Sequence, residues 1–137
     1  MRLWHYKLIP VLPNAMLVSQ WRECIAIKRQ WEKGTLKHRL VSYVMDYDKS
    51  DFLAYVNQVV SELQKRNIKY QQKYVNELVQ FSHGWITLDE DFHYPEHNDK
   101  YFTQCYYNLE EKHDRGIISD EEWQKIQKLE SECRIHE

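Results

Sequence analysis

Apolar side chains recur along this chain three and four residues apart, in blocks separated by short polar breaks. That is the spacing of amphipathic helices rather than of strands. The first dozen residues stand outside it. Pro10 and Pro13 each disfavour helix at the preceding residue, so an extended N-terminal arm is expected. Asn14 is a good N-cap for a helix from Ala15 to Lys33 that stops at Gly34, with Leu17, Trp21, Cys24, Ile25 and Trp31 on its apolar side. The run from Thr35 to Asp46 fits either a helix or a short extended stretch. Asp48 or Ser50 can cap a second helix that reaches Arg66 and buries Phe52, Val56, Val59, Val60 and Leu63. Lys65 and Arg66 in its last turn suit the helix dipole. A third helix is predicted from Gln71 to Phe81, with Tyr74, Val75, Leu78 and Val79 inward and Gly84 beyond its end. Ile86 to Pro95 reads as an irregular loop. Asn98 or Asp99 caps a fourth helix, Lys100 to His113, carrying Tyr101, Phe102, Cys105, Tyr106 and Leu109 inward, and Gly116 ends it. Ser119 and Glu122 form a capping box for a last helix from Asp120 to about Cys133. The last two helices read as a hairpin packed on the first two.

Composition agrees with this all-α reading. The 137 residues suffice for one domain with a core, and only three Gly and three Pro favour helices joined by short connections. The expected architecture is a compact single-domain helical bundle with an extended arm. No stretch approaches the ~20 apolar residues of a membrane span. Arg2, His5 and Lys7 interrupt any signal-peptide pattern, so a cytoplasmic monomer is expected. Cys24, Cys105 and Cys133 show no metal-binding spacing and read as reduced structural thiols.

The net charge of −2 conceals two unlike halves. Residues 1–70 hold 12 Lys and Arg against 6 Asp and Glu, whereas residues 71–137 hold 7 against 15. A basic half with interleaved aromatics is the footprint of a phosphate-backbone binder; the plainer reading is a solvated face balanced by the acidic half. Arg22 and Arg29, seven apart, share a helix face with Ala26, whose small side chain lets a backbone approach closely.

Within that basic helix lies Trp21-Arg22-Glu23, about two dozen residues from the chain start. An α-amine has a reference pKa of roughly 7.7–8.0, so at neutral pH it is a readier nucleophile than a lysine. An arm that folds back would bring that amine to Glu23, a carboxylate able to act as acid, base or charge stabiliser.

Three stretches carry a family resemblance. Met1-Arg2-Leu3, the run LIPVLPNAMLVSQWRE from Leu8 to Glu23, and the run DYDKSDFLAYVNQVVSELQKRNIKY from Asp46 to Tyr70 resemble the pyrimidine-dimer DNA glycosylase/AP lyase family, small endonuclease V-type repair enzymes. The resemblance covers about the first half of the chain. It implies a double-stranded damaged DNA substrate, no cofactor and no metal, and catalysis by an N-terminal amine through a Schiff base. Carried over, Met1 takes the nucleophile position and Glu23 stabilises the iminium and moves protons. Arg2 and Arg22 then contact phosphates near the lesion, with Lys28 and Arg29 as further DNA contacts. The chain departs from the family in three places. Residue 2 is Arg rather than Thr, Ala26 stands where the family has Arg, and the C-terminal end is acidic.

Other residues invite other chemistry. His83, Asp89, Asp91, His93 and His97 fall in one region, but Pro95 spoils a helical pairing of His93 with His97 and no zinc spacing results. His38 reads as a surface residue or a DNA contact. Trp21 and Trp31 read as core, and Trp4 as an exposed stacking platform near the amine. Two functions remain: a DNA glycosylase/AP lyase, or a non-catalytic nucleic-acid- or protein-binding helical module on the same fold. The first requires the N-terminus and Glu23 to lie together.

Overall fold

The five predicted helices are all present in the computed structural model, which describes residues 1–82 and 91–135. They are α1 (Asn14–Lys33), α2 (Lys49–Lys65), α3 (Gln72–Phe81), α4 (Asp99–Asp114) and α5 (Asp120–Ile135). Short 3₁₀ helices cover Tyr6–Val11 and Ser42–Asp46, and no strand forms among the described residues. Gly84, His83, Asp89 and the first part of the loop from Ile86 lie outside the described residues.

The ends of the helices follow local chemistry. Gly34 takes a left-handed φ of 71° and closes α1 onto the carbonyls of Gln30 and Trp31. Asn98 Oδ1 accepts from the Tyr101 amide at 2.9 Å and opens α4. Ser119 and Glu122 exchange backbone and side-chain bonds of 2.9 and 3.2 Å at the head of α5. Two expected caps do not act: Asp48 precedes α2 without a side-chain cap bond, and Asn14 has another partner. Asn14 is the first residue of α1 rather than its cap, because its Oδ1 accepts from Arg66 Nη1 at 2.9 Å.

The arm differs most from expectation. Instead of staying extended, residues 6–11 wind into a 3₁₀ helix, a shape that the fixed φ of Pro10 permits. This turns Leu8 and Ile9 inward. Leu3, Leu8 and Ile9 are fully buried and Leu12 is 1% exposed, so the arm forms the centre of the core. Its 3₁₀ helix packs against α2 on one side and α5 on the other, while α1 packs on α2 and α3. The α4–α5 hairpin therefore meets α2 largely through the arm.

A buried segment outside regular structure must still pair its peptide groups. Here side chains do so. Gln20 Nε2 donates to the Arg2 carbonyl at 2.9 Å, and Gln20 Oε1 accepts from the Trp4 amide at 2.7 Å. Tyr55 donates to the Trp4 carbonyl at 2.6 Å and Gln58 to the Tyr6 carbonyl at 2.8 Å. The Tyr101 hydroxyl donates to the Leu3 carbonyl. His97 Nδ1 accepts from the Tyr6 amide at 3.2 Å, which leaves its proton on Nε2, 2.7 Å from the Tyr43 hydroxyl. At the far end of the arm, Arg66 donates to the carbonyls of Leu12 (2.6 Å), Pro10 (3.0 Å) and Ile9 (3.4 Å).

Burial holds two imidazoles neutral. His97 is pushed down to about 3 and His5 to about 4, both chiefly by desolvation. The ordinary value is 6.5, so between these limits the unfolded chain binds protons that the folded chain does not. The stability these groups confer is complete above about pH 6.5 and declines as the pH falls toward 4.

Two outcomes follow from the caged arm. Arg66→Ala leaves three carbonyls without their charged donor and should cost about 2–3 kcal/mol, read as a lower urea midpoint at unchanged slope. Arg66→Lys should recover only part, since an ammonium has no fork. Melting temperature should fall progressively from pH 6.5 to 4, and His97→Gln, which keeps an acceptor and a donor without titrating, should flatten that decline.

Candidate active site at the N-terminus

Glu23 lies midway along α1, between the exposed Arg22 and the buried Cys24, and is itself half-buried. Its Oε2 accepts from Gln20 Nε2 at 3.2 Å, one helical turn back. The same oxygen is 3.5 Å from the backbone nitrogen of Arg2. Backbone dimensions place a residue's nitrogen no more than about 3.7 Å from the next one. The Met1 α-amine thus lies within about 7 Å of the Glu23 carboxylate. Met1 is half-buried and packs on the core. The arm folds back along α1, so that the chain start lies in the neighbourhood of the carboxylate without forming an ion pair with it among the described residues.

The basic residues divide. Arg22 is exposed and forms no ion pair among the described residues. Arg29 is exposed two turns on, its guanidinium 5.4 Å from the centre of the Tyr74 ring. Seven residues of helix separate these two by about 10 Å along one face, with half-buried Ala26 between them. Lys28 is different: it is 9% exposed and its Nζ is 2.7 Å from Glu32 Oε1. Arg2 turns inward, with its guanidinium 5.3 Å from the Trp4 ring centre and Nη1 3.9 Å from Cys105 Sγ.

Trp4 is not an exposed platform. It is 6% exposed, because residues 2–4 are drawn into the core by Gln20 and Tyr55 and the indole is covered by Arg2. Trp21 is buried as expected, and half-buried Trp31 packs edge-on against Phe52 and Phe81. His38 is exposed. His97, read from sequence only in connection with metals, has both ring nitrogens committed to hydrogen bonds inside the core. The exposed His93 stacks face to face on Tyr6, with ring centres 3.6 Å apart. Among the described residues no His, Cys, Asp and Glu group could hold a metal, and no helix is long and apolar enough to cross a membrane. Cys24 and Cys105 are buried free thiols, and burial pushes the Cys24 thiol up, away from reactivity.

Sequence reasoning missed Gln20. A glutamine in a helix carries no signal by itself, yet this one is 1% exposed and touches both the arm and Glu23. Its position three residues before Glu23, which puts both on one face, was the one available hint.

The family model described as pyrimidine dimer DNA glycosylase matches residues 1–76. No curated protein and no solved structure matches the chain. The matched segment takes in the arm, α1, α2 and the start of α3, and so includes every group that meets at Glu23. Since that segment is more than half of the chain, this protein belongs to the pyrimidine dimer DNA glycosylase family.

Proposed function

We propose that the protein is a repair glycosylase with AP lyase activity, acting on pyrimidine-dimer lesions in double-stranded DNA through the α-amine of Met1. The observation that supports this reading is the approach of the Arg2 nitrogen to Glu23, 3.5 Å, which keeps the adjoining amine within about 7 Å of the carboxylate. The unprotonated amine attacks C1′ of the damaged nucleotide, the glycosidic bond breaks, and the detached base takes up a proton while it stays joined to its dimer partner. Opening of the sugar ring gives an iminium, a Schiff-base intermediate of the kind lysines form. Glu23 stabilises that positive charge and helps to move protons. Loss of a C2′ proton then expels the 3′ phosphate by β-elimination and cuts the strand. The step consumes no cofactor.

Arg22 and Arg29 are the phosphate contacts in this scheme. Both are exposed on one face of α1, and a guanidinium fork matches phosphate oxygens. Arg2, stacked on Trp4 and turned toward Cys105, flanks the chain start and reaches a phosphate only by swinging outward. Lys28, buried and tied to Glu32, adds little net charge to that face. The target nucleotide must leave the stack to reach a half-buried carboxylate, so the duplex is bound kinked with a nucleotide everted. A non-catalytic binding module on the same fold would have no need of the chain start near Glu23; the 3.5 Å approach of the Arg2 nitrogen to that carboxylate favours the enzyme.

Borohydride trapping on a duplex with one abasic site tests this directly. Wild type should give a covalent adduct that maps to the N-terminal peptide and disappears on N-terminal acetylation. Glu23→Gln should slow trapping by about 10²-fold or more. Arg22→Ala should weaken duplex binding and reduce the slope of log affinity against log salt by about 1. A bound duplex without adduct would hand the argument to the binding module.

A further inference from the structure

Gln20 uses its whole hydrogen-bonding capacity at one place. Its two N–H groups face the Arg2 carbonyl (2.9 Å) and Glu23 Oε2 (3.2 Å). Its oxygen accepts from the Trp4 amide (2.7 Å) and lies 3.2 Å from the Tyr55 hydroxyl. The amide thus flanks Leu3 as the peptide group of a neighbouring strand would. Its orientation is fixed by its partners, since the Trp4 N–H needs an acceptor and the Arg2 carbonyl needs a donor. Tyr55, Gln58 and Tyr101 also hold the arm, but among the described residues only Gln20 bonds both the arm and Glu23.

We infer that Gln20 is the positioning residue of the site, holding the N-terminal amine and the Glu23 carboxylate in fixed relation through one buried amide. This rests on the amine reading above and goes beyond it. Gln20 and the Arg2 amide both engage Oε2, while Oε1 accepts no hydrogen bond among the described residues. Oε1 is then the oxygen free to take and return protons, and Oε2 is the anchored one. Gln20 itself touches no substrate. Its effect is geometric: a displacement of about 1 Å at a reacting pair can cost about 10²-fold in rate.

The test is single-turnover trapping with saturating abasic duplex, using wild type, Gln20→Ala and Gln20→Glu, each first shown to melt cooperatively. Gln20→Ala should trap about 10–100-fold more slowly. Its duplex affinity should stay within about twofold of wild type, the split expected when only the reacting geometry is lost. Gln20→Glu puts an oxygen where Nε2 faces Glu23. As a neutral acid it can still donate, but once ionised it repels the neighbouring carboxylate. Its trapping should therefore fall as pH rises, along a limb absent from wild type and from Gln20→Ala. A residue that only supported the fold would create no such limb. Equal trapping rates for wild type and Gln20→Ala would overturn this inference alone. So would parallel loss of trapping and duplex affinity in Gln20→Ala, or a Gln20→Glu profile that only scales the wild-type one. Absence of any adduct with wild type would instead remove the amine reading, and this inference with it.

Discussion

A buried chain segment without a backbone partner must borrow hydrogen bonds from side chains, and the rest of this structure depends on how residues 2–6 solve that problem. Each buried peptide group left unpaired would cost about 1–3 kcal/mol. Gln20, Tyr55, Gln58, His97 and Tyr101 supply the missing partners, from α1, α2, the segment before α4, and α4 itself. These bonds are directional, so they set the path of the arm more tightly than apolar packing by Leu3, Leu8 and Ile9 could. The chain start is consequently placed by the core. That is the physical link between fold and site: a terminal amine, ordinarily among the least ordered groups of a domain, gains a defined position.

The same accounting changes the meaning of the charge. The N-terminal half carries a formal excess of six positive charges, but several of its cations are spent inside the fold. Arg66 closes the end of the arm, Lys28 is paired with Glu32, and Arg2 lies over Trp4. Arg22 and Arg29 remain as exposed guanidiniums on the α1 face beside Glu23. Other exposed cations of this half, Lys33, Lys37 and Arg39 among them, keep the surface basic, and Arg22 and Arg29 are the two guanidiniums aligned on the helix that carries the carboxylate.

Helices were legible because their determinants are local. The stop at Gly34, the capping box at Ser119 and Glu122, and the stripe from Phe52 to Leu63 each lie within a few residues of what they control. The return of the arm to Glu23 was legible through resemblance and the short distance along the chain. Its burial was not. The partners of residues 2–6 are spread over positions 20, 55, 58, 97 and 101, and no local pattern joins a proline-flanked arm to them. Trp4 and Asn14 were misplaced for that one reason. Each looked like a residue with a local task, whereas a tertiary partner, the core beneath Arg2 or the Arg66 guanidinium, had the stronger claim.

The extent of the family match gains a structural meaning from this. It ends at residue 76, yet two of the five side chains that pair residues 2–6, His97 and Tyr101, come later. α5, also beyond the match, packs on the 3₁₀ helix of the arm. The acidic half therefore completes the burial of the arm without supplying the residues at Glu23. Removing it would leave Leu8, Ile9 and the carbonyl of Leu3 uncovered, and only Gln20, Tyr55, Gln58 and Arg66 would still hold the arm. A site composed entirely of matched residues thus depends for its geometry on the half of the chain that lies outside the match.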